Sequence, residues 1–177
     1  MEAPEPDISL VKTAIEGNSD SFMELAAMYY TPMVAIAHSI TGDRDLAEDA
    51  AQQCFARAAV KLYQLKDYRK FAGWLATICR NEAKDIVRQE NYHRNSEKLS
   101  EITTESNHND SCEVVKKALS KLSASSREVI YLRYYDGLSY DRISEVLGIS
   151  EQAINGRLRR AKKKLAQILK REGFKQV

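Results

Sequence analysis

Hydrophobic residues recur at three- and four-residue spacing along most of the chain, which is the period of an α-helix. In the N-terminal part this spacing predicts a short helix over residues 8–15, with Gly17 after its end. A longer helix is predicted next, capped by Ser19 or Asp20 and carrying apolar residues as far as Ile40. No segment alternates apolar and polar residues as a half-buried strand would, so the predicted fold class is all-α.

Two more helices are predicted before residue 92. One runs from Asp45 to about Tyr63, and the other from Phe71 to about Gln89. Pro32 lies inside the preceding helix, where its ring and missing N–H can kink or divide that helix. Together the four segments indicate a small four-helix domain.

The C-terminal part shows short helices that each begin at a serine. One helix is expected to end near Ser123, and Ser125 with Glu128 has the spacing of a capping box for the next helix. Ser139 and Ser150 are predicted to cap the last two helices. The stops between these helices are expected at two glycines, Gly137 and Gly148.

One long polar segment, residues 93–112, joins the two halves. It contains only two aliphatic residues, Leu99 and Ile102, among serines, asparagines, threonines and charged side chains. Such a composition buries too little apolar surface to offset the entropy of ordering the chain. We therefore predict two small helical domains, 1–92 and 113–177, joined by a flexible polar linker at 93–112.

Charge is distributed unevenly, although the whole sequence has a net charge of only +2. Residues 1–92 hold 10 basic against 14 acidic residues, and residues 93–112 hold 2 against 4. Residues 113–177 hold 15 basic against 7 acidic residues, a net charge of +8. A basic C-terminal domain indicates a polyanionic partner, most commonly nucleic acid. The acidic N-terminal domain indicates that DNA is not the only partner.

Composition excludes several other classes. The chain has 7 glycines and 3 prolines, too few turn residues for an all-β sandwich or a glycine-rich nucleotide-binding fold. No apolar run approaches the roughly 20 residues of a membrane span, and the acidic N-terminus does not resemble a secretory signal. We therefore expect a cytoplasmic protein with no membrane insertion. Its three cysteines and three histidines lack metal-ligand spacing, so no metal or cofactor is predicted.

The sharpest local signal is a helix-turn-helix pattern between Gly137 and Leu158. Gly148 provides the tight turn, and Ser150 caps the second helix, whose first turn would enter a DNA major groove. On that helix, the side chains suited to base edges are Gln152, Asn155, Arg159 and Arg160. Those suited to phosphates are Arg157, Lys162, Lys163 and Lys164. In the same helix, Gly156 leaves room for close approach to the DNA backbone or to a partner helix.

With both domains laid out, the sequence resembles the extracytoplasmic-function (ECF) sigma factors of bacterial RNA polymerase. Three segments carry the resemblance, residues 46–58, 71–88 and 122–165. They begin Leu-Ala-Glu-Asp-Ala-Ala-Gln-Gln, Phe-Ala-Gly-Trp-Leu-Ala and Leu-Ser-Ala-Ser-Ser-Arg-Glu-Val. In that order they are similar to the helix that binds the polymerase clamp, the helix that recognises and opens the −10 element, and the −35 reader. The two domains then resemble the family's regions 2 and 4.

The resemblance implies roles for particular residues of the N-terminal domain. Core RNA polymerase, through its clamp helices and flap, is the implied protein partner. The clamp contact would use Glu48, Asp49, Gln52 and Gln53, with Gln53 standing where the family usually has Glu. Contacts to −10 DNA would come from Tyr68, Arg69, Asn81, Lys84, Asp85 and Arg88. Tyr68 would line the pocket for a base flipped from the non-template strand, whereas Trp74 is expected in the core.

For the C-terminal domain, the resemblance implies −35 recognition. The residues implied are Gln152, Asn155, Gly156, Arg157, Arg159, Arg160 and Lys163. The family usually has Arg or Lys at the position of Asn155 and Ser at that of Gly156, and an asparagine there would favour an A·T pair. An anti-sigma factor is a further implied partner, because family members are commonly held inactive by one.

The predicted function is therefore that of an ECF sigma factor. It would bind core polymerase, recognise −10 and −35 promoter elements and assist strand opening without catalysis of its own. The alternative is a stand-alone helix-turn-helix regulator, which the C-terminal domain alone would suit. An enzyme is disfavoured because the sequence shows no nucleophile–histidine set, phosphate-binding loop or metal-ligand spacing.

Overall fold

The computed structural model of the protein describes residues 8–97 and 110–172. Within these ranges the chain forms helices joined by short turns, and no strand occurs there, as the sequence predicts. The N-terminal domain consists of α1 (Ile8–Ile15), α2 (Ser19–Thr41), α3 (Arg44–Lys61) and α4 (Phe71–Glu97). The C-terminal domain consists of α5 (Asp110–Ser120), α6 (Ala124–Ile130), α7 (Tyr140–Leu147) and α8 (Glu151–Arg171). None of these helices is both long and apolar enough to cross a membrane.

Several connections have their own helical geometry. Two 3₁₀ turns, Leu62–Gln64 and Tyr68–Lys70, join α3 to α4, and α6 continues into a π-helical turn at Tyr131–Tyr135. The helices on either side of the predicted linker are longer than expected, because α4 includes residues 93–97 and α5 begins at Asp110. The rest of that segment, 98–109, lies outside the described residues.

Helix α2 is the centre of the N-terminal core and packs against α1, α3 and α4. Its buried face carries large side chains, among them Tyr29, whose ring packs edge-on against Phe71 with centroids 5.3 Å apart. Helix α3 meets α2 and α4 mainly through small buried residues, Ala47, Ala50, Ala51, Cys54 and Ala58. Small side chains let the helix axes approach closely, which is why the apolar pattern of α3 is weak in sequence but sufficient for packing.

Two of the predicted helix caps are wrong. The cap of α2 is Asn18, whose side-chain oxygen accepts a hydrogen bond from the amide of Ser21, because Asn18 is the last residue with extended backbone. Likewise α6 is capped by Ser123, whose hydroxyl accepts from the amide of Ser126 at 3.3 Å. The expected capping box at Ser125 does not form, because Ser125 lies inside α6, and Glu128 pairs instead with Arg80 at 2.7 Å.

The predicted caps of the last two helices are confirmed. The hydroxyl of Ser139 accepts from the amide of Arg142, and that of Ser150 accepts from the amide of Ala153. Gly148 closes α7 in the left-handed conformation with φ of 64°, and its amide donates to the carbonyl of Ser144 at 2.8 Å. Glycine suits this position because other residues pay a steric cost at positive φ.

Pro32 does not divide α2, which continues from Ser19 to Thr41. A proline in a helix supplies no N–H, so the carbonyl four residues earlier, that of Met28, loses its helical donor. In the structure a guanidinium N–H of Arg142, on α7 of the C-terminal domain, donates to that carbonyl at 2.9 Å. The proline therefore frees an acceptor that the second domain uses.

The two domains are in direct contact around this point. The guanidinium of Arg142 lies 4.1 Å from the ring centroid of Tyr29 and pairs with Glu145, whose carboxylate also accepts a hydrogen bond from the Tyr29 hydroxyl. Burial and the bond to Glu145 raise the pKa of Tyr29, which keeps its hydroxyl a donor. A second contact joins Arg80 of α4 to Glu128 of α6.

A third contact between the domains is aromatic. His38 of α2 packs edge-on against Tyr131 and Tyr135 of the π-helical turn, with ring centroids 4.7 and 4.9 Å apart. Burial lowers the pKa of His38, so the ring is held in its neutral form between the tyrosines. These three contacts lie beside apolar packing, because the buried residues of α6, α7 and α8 belong to the same hydrophobic cluster as those of the N-terminal helices.

Candidate DNA- and polymerase-binding surfaces

Helix α8 presents one polar face to solvent and one apolar face to its domain. The apolar face carries Ile154, Leu158 and Ala161, each at most 2% exposed. Among the predicted base-reading and phosphate-binding residues, Gly156 and Arg157 are half-buried. The exposed ones are Gln152, Asn155, Arg159, Arg160, Lys162, Lys163 and Lys164, and the ammonium of Lys162 lies 4.9 Å from the Tyr134 ring centroid. Because 152, 155, 159 and 163 are three or four residues apart, they form one stripe along the helix. That stripe is free to enter a groove of DNA.

The turn before α8 has the expected geometry of a helix-turn-helix. Ile149 is half-buried against the core, and its carbonyl accepts a hydrogen bond from the Ser144 hydroxyl at 2.6 Å. Within α8, a Cβ built on Gly156 would lie 3.4 Å from a guanidinium nitrogen of Arg160. The arginine therefore folds back over the glycine.

The N-terminal half of α3 carries the four residues predicted for the polymerase clamp. Its first turn is capped by Asp43, whose carboxylate accepts from the amides of Asp45 and Leu46. The four predicted residues lie on the side of the helix away from the core: Glu48 is half-buried and the others, Asp49, Gln52 and Gln53, are exposed. Glu48 pairs with Arg44 at 3.0 Å, so part of its charge is balanced within the helix.

A groove of about 610 Å³ lies between the 3₁₀ turns, the start of α4 and the end of α7. It is lined on the N-terminal domain by Lys66, Arg69, Lys70 and Trp74, among others, and on the C-terminal domain by Glu145 and Gly148. Asp67 caps the second 3₁₀ turn, and the nearby Arg69 lowers the pKa of its carboxyl. The C-terminal domain therefore closes one side of a groove whose other lining includes three basic residues and one acidic residue.

Of the two aromatic residues near this groove, Trp74 lines it and Tyr68 does not. Tyr68 is half-buried against the hydrophobic core and is not among the residues that line the groove. Trp74, which was expected in the core, is half-buried, packs against the hydrophobic core beside Phe71, and also lines the groove. Both rings pack against the core, but only Trp74, one turn into α4, reaches the groove that Glu145 and Gly148 also line.

A second, more polar groove of about 410 Å³ lies between the C-terminal half of α3 and the middle of α4. It brings together all four residues predicted from the −10 helix, Asn81, Lys84, Asp85 and Arg88. Asp85 pairs with Arg88 at 3.1 Å. Two cations from α3, Arg57 and Lys61, line the same groove and were not predicted as site residues.

Sequence reasoning missed Arg57 and Lys61 because it treated α3 as a single polymerase-binding helix. A usable signal was present, since Gln53, Arg57 and Lys61 are four residues apart and share one face of a helix. Along that face the polar groups change from amide to basic. The approach of α4, which places Glu82 against Arg57 at 2.7 Å, could be seen only in the structure.

Comparisons with known proteins agree with this architecture. The family model for sigma-70 region 2 matches residues 25–92, and that for sigma-70 region 4 matches residues 112–165. The chain is 27% identical to the ECF RNA polymerase sigma factor SigW of Bacillus subtilis over 177 residues, covering 90% of this chain and 95% of SigW. It spans 40% of a longer relative, the probable RNA polymerase sigma factor RfaY of Xanthomonas campestris, at 29% identity.

Two solved structures share the fold. CnrH of Cupriavidus metallidurans, in complex with the cytosolic domain of CnrY, aligns with a TM-score of 0.63 at 29% identity, covering 93% of this chain and 97% of CnrH. The sigma factor RpoE of Bartonella quintana, in complex with the anti-sigma factor NepR, aligns with a TM-score of 0.55 at 28% identity, covering 84% and 96%.

The class of protein that the fold and these matches define is the sigma-70 type of transcription initiation factor, with region 2 and region 4 domains. Within that class, the chain belongs to the ECF sigma factors. It is a DNA-binding sigma factor that directs transcription initiation. The stand-alone regulator is not favoured, because region 2 accounts for the N-terminal domain that such a regulator leaves unexplained.

Proposed function

We propose that the chain gives core RNA polymerase its promoter specificity through three surfaces. The N-terminal half of α3 binds the polymerase clamp, α4 with the preceding turn binds the −10 element, and α8 binds the −35 element. The observation that carries the proposal is that the N-terminal domain and the helix-turn-helix each keep most of their predicted polar residues on exposed or groove-lining positions. The chain supplies binding energy and no catalytic step.

At the −35 element, α8 lies in the major groove. Gln152, Asn155 and Arg159 reach base edges from its exposed stripe, and an asparagine is suited to adenine as an arginine is to guanine. Arg157 and Lys163 contact phosphates, which fix the register of the helix without reading sequence. Arg160, which folds over Gly156, bonds a base or a phosphate at the edge of the same surface.

At the −10 element, α4 holds the opened strand. Asn81 contacts a base or the backbone, and Lys84 and Arg88 neutralise phosphates, while Asp85 orients Arg88 through their ion pair. The groove beside Trp74 and Arg69 offers an aromatic surface and positive charge, which suit an unstacked base and its phosphate. Tyr68, half-buried behind this groove, supports the turn that forms it.

Protein partners follow from the same surfaces. Glu48, Asp49, Gln52 and Gln53 present carboxylate and amide groups to the basic clamp helices of polymerase, and the C-terminal domain contacts the flap. CnrH and RpoE were each solved with a bound protein, which in the case of RpoE is an anti-sigma factor. We expect an anti-sigma factor for this chain as well. Because chromosome and polymerase lie in the cytoplasm, the protein acts there.

Asp49→Lys tests the polymerase surface. Reversing an exposed charge that faces basic helices is expected to weaken core binding about tenfold, because attraction becomes repulsion. Core affinity is measured by fluorescence anisotropy of labelled sigma factor. Glu24→Lys, which makes the same change at an exposed position of α2, is the control. Equal losses for the two variants would show a general charge effect and contradict this assignment of α3.

A further inference from the structure

The groove between α3 and α4 has properties that polymerase binding does not explain. Its rim carries four cations, two from each helix: Arg57, Lys61, Lys84 and Arg88. Its acidic residues are Glu82 and Asp85, so the groove has an excess of positive charge. Such a groove is suited to a polyanion, whereas the acidic and amide half of α3 is suited to a basic protein.

Arg57 is held in place by a buried carboxylate at the floor of the groove. Glu82 is only 3% exposed, and its Oε1 lies 2.7 Å from Nε of Arg57. The Arg57 side chain is itself half exposed, so its terminal nitrogens remain at the rim. A guanidinium fixed at Nε keeps its terminal N–H groups pre-oriented toward an incoming anion, which reduces the entropy lost on binding.

Lys61 and Lys84 complete the rim. Both are exposed, and no carboxylate among the described residues forms an ion pair with either. Lys61 is four residues after Arg57, so the two follow one another on the same face of α3, opposite Lys84 and Arg88 across the groove. Two pairs of cations therefore lie on the two sides of this groove.

We propose that the C-terminal half of α3 is a DNA-binding surface, in which Arg57 and Lys61 bind backbone phosphates of the promoter strand held by α4. The α3 helix is then divided, with polymerase bound by its acidic and amide half and the DNA backbone by its basic half. This inference rests on the proposed function of α4 at the −10 element. It assigns two residues to the DNA contact that the sequence placed in no site.

Lys61→Ala is the primary test, because Lys61 is exposed and its removal leaves no buried partner. The probe is a forked promoter fragment, single-stranded across the −10 element, taken from a start site that this sigma factor produces with core polymerase. Holoenzyme containing Lys61→Ala is expected to bind this fragment about 3- to 10-fold more weakly. The slope of log affinity against log salt should fall in magnitude by about 0.7, because one phosphate of a single strand is no longer neutralised. Core affinity should be unchanged.

The controls separate this inference from alternatives. Lys12→Ala removes an exposed lysine from α1 and should alter neither binding nor slope. The double variant Arg57→Gln/Glu82→Gln removes the guanidinium without leaving a buried carboxylate unpaired, and should reproduce the loss of DNA affinity. Weaker core binding by Lys61→Ala with unchanged DNA affinity would assign the face to polymerase and overturn the inference. If Lys61→Ala keeps the wild-type DNA affinity, core affinity and salt slope, this part of α3 is a solvated helix face and the inference is overturned as well. Failure of the wild-type chain to form holoenzyme would instead contradict the proposed function.

Discussion

Arg142→Met should weaken the docking of the two domains on each other. In the structure Arg142 donates to the Met28 carbonyl freed by Pro32 and lies over the Tyr29 ring. A hydrogen bond from a charged donor contributes about 1.5–3 kcal/mol, and a desolvated cation–π contact about 0.5–2 kcal/mol. Allowing for overlap of the two contributions, Arg142→Met should cost about 2–4 kcal/mol of docking free energy. This lowers the equilibrium constant for docking about 30- to 700-fold.

Arg133→Met provides a matched control. Arg133 makes the same two kinds of contact within the C-terminal domain, donating to the Leu138 carbonyl at 2.6 Å and lying 5.1 Å from the Tyr140 ring centroid. Its removal should destabilise that domain without separating it from the N-terminal domain. The comparison therefore distinguishes impaired docking from impaired folding.

Small-angle X-ray scattering and calorimetry measure the effect. For Arg142→Met we expect a larger radius of gyration and two thermal unfolding transitions instead of one, while Arg133→Met should keep the wild-type radius. If Arg142→Met retains both the compact radius and a single transition, docking does not depend on this anchor and the energetic reasoning is refuted.

Docking also bears on promoter binding. Elements at −10 and −35 are about 25 base pairs apart, or about 85 Å along B-DNA at 3.4 Å per base pair. We expect domains held in contact, as by the Arg80–Glu128 pair at 2.7 Å, to reach only one of these elements at a time. The two domains of the sigma factor are therefore expected to separate when it assembles on a promoter. Because Arg142→Met weakens their docking, it should increase transcript yield at limiting core polymerase.

Three further predictions concern stability. Burial raises the pKa of Asp136 to about 6, so its stabilising contribution is complete below about pH 4 and lost as pH rises through 6. Asp136→Asn should therefore stabilise the protein by about 1 kcal/mol at pH 7.5, with no gain in stability near pH 4. An equal gain at the two pH values would contradict the raised pKa of Asp136. Gly148→Ala should cost about 1–2 kcal/mol because φ is positive, whereas Gly73→Ala in open helical space should not destabilise; equal melting temperatures would refute the argument. Ser150→Ala should cost about 1 kcal/mol in a urea titration, and no change in midpoint would show that the cap is dispensable.

Most of the helices could be predicted from sequence because they carry their own apolar period, although that of α3 is weak. The predicted turns at Gly137 and Gly148 have positive φ, and the caps at Ser139 and Ser150 are confirmed. The caps at Asn18 and Ser123 were mispredicted, because neighbouring polar residues offer equivalent side chains and only the backbone conformation selects one of them. Local pattern placed these two caps to within two residues, whereas α4 ends at Glu97, eight residues beyond the predicted Gln89.

The arrangement between elements could not be predicted, because it depends on contacts between distant residues. Glu128 was expected to cap its own helix, but it pairs with an arginine 48 residues earlier in the chain. The role of Pro32 was likewise hidden, since a freed carbonyl becomes a docking point only when another domain supplies a donor. The exposed face of α8 was simpler to predict, because it requires only the apolar period of one helix.

The most direct test of the central claim is transcription from fragmented genomic DNA by core RNA polymerase, with and without the purified chain. The account predicts discrete start sites that appear only when the chain is present, each preceded by shared −10 and −35 sequences. Neither new start sites nor binding of the chain to core polymerase would contradict its assignment as a promoter-specificity subunit.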